Sequence, residues 1–195
     1  MHDTTDGDDA PAVASRLEDE LLAIRCQLGE PAAFDALVAR WHEPLWRYIR
    51  RLSASDDVAA ETVQDVWLRI LRAMPQLRDA TRLRPWLFGI ARRAVMDRLR
   101  QHYAEPDAPA GDAAIATLAE PDEEDDRAEE LALLHEELQR MPLVEREVLV
   151  LFYLHELSLA QLADVLAVPV GTVKSRLFRA RQMLRRQLTA KGVHP

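Results

Sequence analysis

At 195 residues and 48% hydrophobic, with a net charge of -8, the chain can bury one or two ordinary cores, and two small all-helical units are expected. A lone cysteine, Cys26, excludes an intrachain disulfide framework and any cysteine-based metal site, and is expected to be a buried packing residue. The N-terminus is acidic without an apolar core, and no apolar run approaches the roughly 18 residues of a membrane span. A cytoplasmic protein with no membrane insertion is therefore expected.

The negative charge is local. Residues 1–20 sum to -6 and residues 104–130 to -10, which leaves +8 on the remainder. Acidic segments thus flank a basic body, a pattern that suits a polyanionic partner.

In chain order, residues 1–14 hold hardly any large apolar group, and an acidic tail reaching residue 16 is expected to be disordered. Helical spacing begins near Ser15 with Leu17, Leu21, Leu22 and Ile24, and is interrupted at Gly29 and Pro31. A second helix carries Phe34, Leu37, Val38, Trp41, Leu45, Tyr48, Ile49 and Leu52, with Pro44 predicting a kink or break. Asp56 and Asp57 are placed to cap a third helix. Its apolar stripe is Val63, Val66, Trp67, Ile70, Leu71 and Met74, and its other face shows Glu61, Gln64, Asp65 and Arg69.

Pro75 to Thr81 read as a loop. A fourth helix follows on Leu83, Trp86, Leu87, Ile90 and Ala94. Arg82, Arg84, Arg92, Arg93, Arg98 and Arg100 against Asp97 make it strongly basic, with Trp86, Phe88 and Tyr103 interspersed. Arginine among aromatics suits a single-stranded nucleic acid groove, where rings stack on any base and cations follow the backbone. The competing reading puts Trp86 in the core. Residues 104–125, rich in Ala, Pro, Asp and Glu, read as a flexible acidic linker. Helix resumes at Arg127 with Leu131, Leu134 and Leu138, and Pro142 opens another bearing Val144, Val148, Leu149, Phe152 and Leu154.

The most informative stretch is LSLAQLADVLAVPVGTVKSRLFRARQMLRRQL, residues 157–188. Ser158 with Gln161 fits a capping box. Leu159, Leu162, Ala163 and Leu166 form one buried face. Pro169 ends that helix and opens the next, which buries Val173, Leu177, Ala180, Leu184 and Leu188. The second helix exposes Thr172, Lys174, Ser175, Arg176, Arg179, Arg181, Arg185 and Arg186, and residues 165–195 contain no acid. Arg and Lys reach guanine acceptors in the major groove, Ser and Thr serve several bases, and neighbouring cations neutralise phosphates. Two short helices with a tight break, the second carrying this face, match a helix-turn-helix.

No glycine-rich phosphate loop, Cys/His metal spacing or nucleophile elbow occurs, and the pairs His42-Glu43 and His155-Glu156 lack a third ligand. No enzymatic activity, metal or cofactor is expected.

Three runs carry a resemblance: AAETVQDVWL from Ala59, LRPWLFGIARRAVMDRLR from Leu83 and PVGTVKSRLFRARQML from Pro169. Together, in this order around an acidic linker, they resemble the extracytoplasmic-function sigma factors of bacterial RNA polymerase. The resemblance spans about residues 17–190. It implies an all-α fold of two small helical domains: sigma region 2 over 17–103, an acidic linker over 104–125, and the helix-turn-helix sigma region 4 over 126–190. Region 2 of that family binds the polymerase clamp coiled coil and helps melt the minus-ten promoter element; region 4 reads the minus-thirty-five element as duplex.

By motif position, the resemblance makes Glu61, Gln64 and Asp65 the polymerase-binding face. It makes Arg78, Arg82 and Arg84 part of a loop capturing an unstacked base, with Arg92 and Arg93 on adjacent phosphates. Thr172, Lys174, Ser175, Arg176, Phe178 and Arg179 become the minus-thirty-five readers. Many family members carry Asn where this chain has Arg93, which favours a phosphate role there. The implied partners are core RNA polymerase, promoter DNA both duplex and single-stranded, and an anti-sigma factor. The alternative reading is a stand-alone helix-turn-helix regulator not bound to polymerase.

The linker adds a physical constraint. As a flexible coil its 22 residues span roughly 25 Å, whereas promoter elements two helical turns apart lie roughly 70 Å from each other. A compact free chain is expected, poor at engaging both elements until polymerase separates the domains. The acidic tail and linker are candidates for shielding the basic faces.

Overall fold

The computed structural model describes residues 10–104 and 126–191, with side chains described from 13 to 101 and from 132 to 191. All regular structure among them is helical. The helices are α1 (Ala10–Gln27), α2 (Pro31–Leu52), α3 (Asp56–Ala73), α4 (Leu83–Ala104), α5 (Asp126–Arg140), α6 (Leu143–Leu149), α7 (Leu159–Leu166) and α8 (Val170–Ala190). The two expected helical groups, α1–α4 and α5–α8, are both present. Of the tail expected to be disordered to residue 16, residues 10–16 are instead helical, and Ala104, expected to begin the linker, ends α4; residues 1–9 and 105–125 lie outside the described residues.

α1 begins at Ala10, earlier than the apolar spacing indicates. The run Ala10, Pro11, Ala12 explains it, because alanine has the best helix propensity and proline is tolerated in a first turn. Of the leucines read as its buried face only Leu22 is buried, together with Ala23; Leu17, Leu21 and Ile24 are exposed. Cys26 is half-buried, and burial raises its thiol pKa. Arg40 of α2 straps α1 down through Asp19 at 2.6 Å, Glu18 at 3.0 Å and the Ser15 hydroxyl at 2.8 Å. Gly29, at φ +77°, reverses the chain into α2 in a conformation that favours glycine.

α2 runs unbroken through Pro44. Proline in a helix interior costs about 3 kcal/mol, and the fully buried Leu37, Leu45, Tyr48 and Ile49 on the same helix more than offset it. Ser55, one position before the expected aspartates, caps α3 by accepting from the Val58 N–H at 3.3 Å; Asp56 and Asp57 occupy the first turn, where they favour the helix dipole. Leu71, assigned above to the α3 core stripe, is 53% exposed, as is Leu68 at 51%. The loop after α3 is tightened by two 3₁₀ turns, Met74–Gln76 and Ala80–Arg82, the second begun by Asp79 accepting from the Thr81 N–H at 3.0 Å.

α6 does not extend to Leu154. It passes into a π-helical turn, Val150–Leu154, closed by the His155 N–H to the Val150 carbonyl at 3.2 Å. The extra residue per turn shifts the register. Val148, Leu149, Val150 and Leu151 are buried in succession while Val144 and Leu154 are exposed.

The helix-turn-helix forms as expected. Both halves of the capping box are made: the Ser158 hydroxyl accepts from the Gln161 N–H at 3.2 Å, and Gln161 Oε1 accepts from the Ser158 N–H at 2.9 Å. α7 ends on Ala167 at φ +54°, a left-handed conformation that costs a Cβ-bearing residue about 1 kcal/mol. Ala167→Gly is therefore expected to raise the melting temperature by about 3 °C, measured by circular dichroism.

The two groups pack directly on each other. α4 lies against α7, Arg146 of α6 donates to the Arg51 carbonyl of α2 at 3.1 Å, and Arg51 meets His135 of α5 at 3.1 Å.

Candidate nucleic-acid interface

Two basic surfaces flank the junction. On α8, the buried Val173, Leu177 and Ala180 fix the helix against α6 and α7, which turns Lys174, Ser175, Phe178 and Arg179 to solvent. Phe178 is 62% exposed, unusual for a large apolar ring and available for contact with a thymine methyl. Lys174 and Arg179 make no ion pair with another described side chain, so both charges remain for a polyanion. Ser175 Oγ donates to the Thr172 carbonyl at 2.9 Å. Arg176 lies half-buried beside the seam, where its charge slightly opposes the rise that burial imposes on the Glu147 pKa. Arg181 stacks over Phe152 and Tyr153, 5.4 Å from each ring, where a cation–π contact holds it.

The second surface is a cavity of about 300 Å³, bordered by Arg78, Asp79, Arg82, Trp86, Arg93 and Asp164. This volume is at the small end of ligand pockets. Trp86 is half-buried, packed against the core on one side, as the core reading expects, and lining the cavity on the other. The structure brings Arg78, Arg82 and Arg93 together here. Arg84 and Arg92 point elsewhere: Arg84 donates to the His155 carbonyl and lies over Trp41 at 5.9 Å, and Arg92 Nε donates to Glu147 Oε1 at 3.0 Å. Burial lowers the Arg84 pKa.

Glu147 went unnoticed in the sequence, although its place four residues after Leu143 and four before Leu151 puts an acid in the core register. It is 1% exposed and accepts from the Tyr48 hydroxyl at 2.9 Å as well as from Arg92. Desolvation raises the Glu147 pKa, with the Arg92 charge opposing; desolvation and the Glu147 charge raise that of Tyr48. On α3, Glu61, Gln64 and Leu68 share an exposed face with the half-buried Asp65. Glu61 pairs with Arg98 at 3.2 Å and Asp65 with Arg69 at 2.8 Å.

Of the two histidine-glutamate pairs, His42 receives the Trp67 indole N–H at 3.2 Å, and His155 is buried against Phe88 with ring centroids 4.6 Å apart. No cluster of metal-ligating side chains occurs among the described residues. Desolvation, then the Arg84, Arg51 and Arg47 charges, lowers the His155 pKa to about 4. The unfolded chain binds that proton near 6.5, so the contribution is fully present above that pH and is lost as pH falls toward 4, by up to about 3 kcal/mol. The raised Glu147 pKa opposes this at the acid end. Urea unfolding between pH 7.5 and 5 is expected to show falling stability, with a shallower slope in His155→Leu.

The description "Sigma-70 region 2" matches residues 37–105, and "Sigma-70, region 4" matches residues 131–184. The chain is 34% identical to the ECF RNA polymerase sigma factor SigM of Mycobacterium tuberculosis strain H37Rv, over 89% of this chain and 85% of that one. The chain belongs to the extracytoplasmic-function sigma factors. It is also 30% identical to the RNA polymerase sigma-H factor of Pseudomonas aeruginosa, over 88% of this chain and 94% of that one. Among solved structures it is similar to CnrH in complex with the cytosolic domain of CnrY, with a TM-score of 0.67 and 26% identity over 89% of this chain and 98% of that one. The fold also matches the sigma factor RpoE of Bartonella quintana, solved with the anti-sigma factor NepR, with a TM-score of 0.69 and 22% identity over 80% of this chain and 96% of that one. As a sigma factor it directs promoter-specific transcription initiation. The stand-alone regulator reading is disfavoured, because a region 2 match accounts for the whole basic α4.

Proposed function

We propose that this sigma factor divides promoter recognition between its two basic surfaces. α8 enters the major groove of the minus-thirty-five element, with Lys174, Ser175, Phe178 and Arg179 on base edges, and Thr172 and Arg176 on the flanking backbone. The cavity beside α4 takes a base unstacked from the minus-ten element against Trp86, with Arg78, Arg82 and Arg93 holding the strand and Arg84 and Arg92 joining when released from their present partners. The division follows the notional boundaries 17–103 and 126–190 about the linker 104–125. The observation that carries it is the pairing of two unlike cationic surfaces: a convex helix face matched to a groove and a cavity of about 300 Å³ walled by an aromatic ring.

The α3 face of Glu61, Gln64 and Asp65, extended by the exposed Leu68, docks the clamp coiled coil of core polymerase. Its two acids are held by partly exposed intrachain pairs, worth under about 1 kcal/mol each, which exchange for a partner's cations. The sigma factor supplies no catalysis of its own, acts in the cytoplasm, and family membership supports an anti-sigma factor as its inhibitor.

Run-off transcription from a promoter library, with core polymerase alone and with the full chain added, tests the reading. Promoter-specific transcripts are expected only with the chain present. Glu61→Arg with Asp65→Arg is expected to weaken core binding about tenfold, as two exposed charges on an interface reverse sign. A chain that binds core but yields no transcript from any template overturns the proposal.

A further inference from the structure

We propose that the free chain is closed by its own carboxylates: Glu147 and Asp164 of the C-terminal helices occupy Arg92 and Arg82, where strand phosphates would otherwise bind. The inference rests on the functional reading of Arg82 and Arg92 given above.

The two contacts are built differently. Glu147 is buried at the junction, takes hydrogen bonds from Tyr48 of α2 and Arg92 of α4, and so ties α6 to both helices at once. Asp164 of α7 pairs with Arg82 and lines the same cavity as Trp86 and Arg93. A phosphate approaching that cavity meets a carboxylate already bound to its cation. An acid-arginine pair reproduces the charge and hydrogen-bond geometry of a phosphate-arginine pair, which makes the contacts competitive. Between them Arg84 donates to the His155 carbonyl, so three of the five minus-ten arginines, Arg82, Arg84 and Arg92, are engaged by C-terminal residues, while Arg78 and Arg93 are not.

The energetics favour a reversible clasp. A buried ion pair roughly breaks even against its desolvation cost, so it specifies one arrangement without making it deep. The clasp lowers apparent DNA affinity by the fraction of chain that is open, and raising that fraction raises affinity in proportion. Docking on polymerase pulls the groups apart and frees the arginines together. This places autoinhibition in a defined contact, whatever the acidic tail and linker contribute.

The test uses the full chain with Cys26→Ser and fluorescent dyes on cysteines placed at Ala32 and Gln182, both exposed positions away from the clasp and from the α3 face. Energy transfer between the dyes is expected to be high in the free chain and to fall on addition of core polymerase. Asp164→Asn with Glu147→Gln is expected to lower transfer in the free chain and to raise its affinity for a single-stranded minus-ten oligonucleotide about tenfold. Asp35→Asn, removing the same kind of exposed charge elsewhere, should change affinity less than about twofold. Asp164→Asn alone alters a half-exposed side chain and carries the test if Glu147→Gln does not fold. Low transfer in the unmodified free chain overturns the clasp, as does affinity that rises no more than in Asp35→Asn. Absence of core-dependent transcription sinks the functional reading instead and leaves the transfer measurement standing.

Discussion

Arg179→Glu is expected to weaken binding of the polymerase-bound sigma factor to a minus-thirty-five duplex by about 100-fold, because a base-edge contact worth about 1–3 kcal/mol is lost and an acid is set against phosphates. The expectation follows from where the side chain stands. Arg179 is exposed, one turn on from Lys174 and Ser175, on a helix whose opposite face is locked by Val173, Leu177 and Ala180. Nothing in the described chain competes for its charge, so its loss is felt wholly in the complex. Fluorescence anisotropy across a salt series reads both parts of the effect: affinity falls at every salt concentration, and the slope of log affinity on log salt is expected to drop by about one or more. Arg181→Glu, two residues on, provides the contrast. Its guanidinium is engaged over Phe152 and Tyr153, so reversal should cost folding stability more than DNA affinity. Equal affinity losses at the two positions would remove the case for a specific reading face.

What the sequence revealed follows the physics of local signals. Ser158 with Gln161, the break before Pro169 and the first part of the α8 stripe, Val173, Leu177 and Ala180, are all short-range and appear in the structure, whereas Leu184 and Leu188, read into the same stripe, are only half-buried. Errors came where tertiary packing overrode a local rule. Pro44 looks like a helix breaker, but five buried side chains of α2 from Leu37 to Ile49 hold the helix through it. Leu17, Leu21 and Leu71 have core spacing and are exposed, because spacing identifies a face and says nothing of whether a neighbour covers it. The π turn at Val150–Leu154 was hidden for a similar reason: a register shift inside an all-apolar run leaves no periodic trace. The partners of Arg82, Arg84 and Arg92 lie 55 to 82 positions along the chain, and no window-based signal reaches that far. Only the acid at a core position, Glu147, hinted at the junction.

Phe88→Ala is expected to destabilise the protein by about 3–5 kcal/mol, the usual cost of emptying a buried aromatic site. Phe88 is fully buried and lies edge-on to Trp41 at 6.2 Å and Tyr48 at 5.5 Å, while tilted over His155 at 4.6 Å. Three of these rings belong to the N-terminal helices and the fourth to the C-terminal group, so one void would loosen the core of α2 and α4 and the junction together. Total stabilities of about 5–15 kcal/mol leave little margin for such a loss. At about 2–4 °C per kcal/mol for a chain of this size, the melting temperature should fall by about 10 °C. Phe88→Leu keeps most of the volume but loses the edge-to-face contacts, each worth about 0.5–1.5 kcal/mol, and is expected to fall between. The energy-transfer readout separates the two consequences: if the ring serves only the N-terminal core, Phe88→Leu lowers the melting temperature with interdomain transfer unchanged. If it also seats His155, transfer falls in the same variant, because α4 and the segment leading into α7 lose the contact that helps position Asp164 over Arg82.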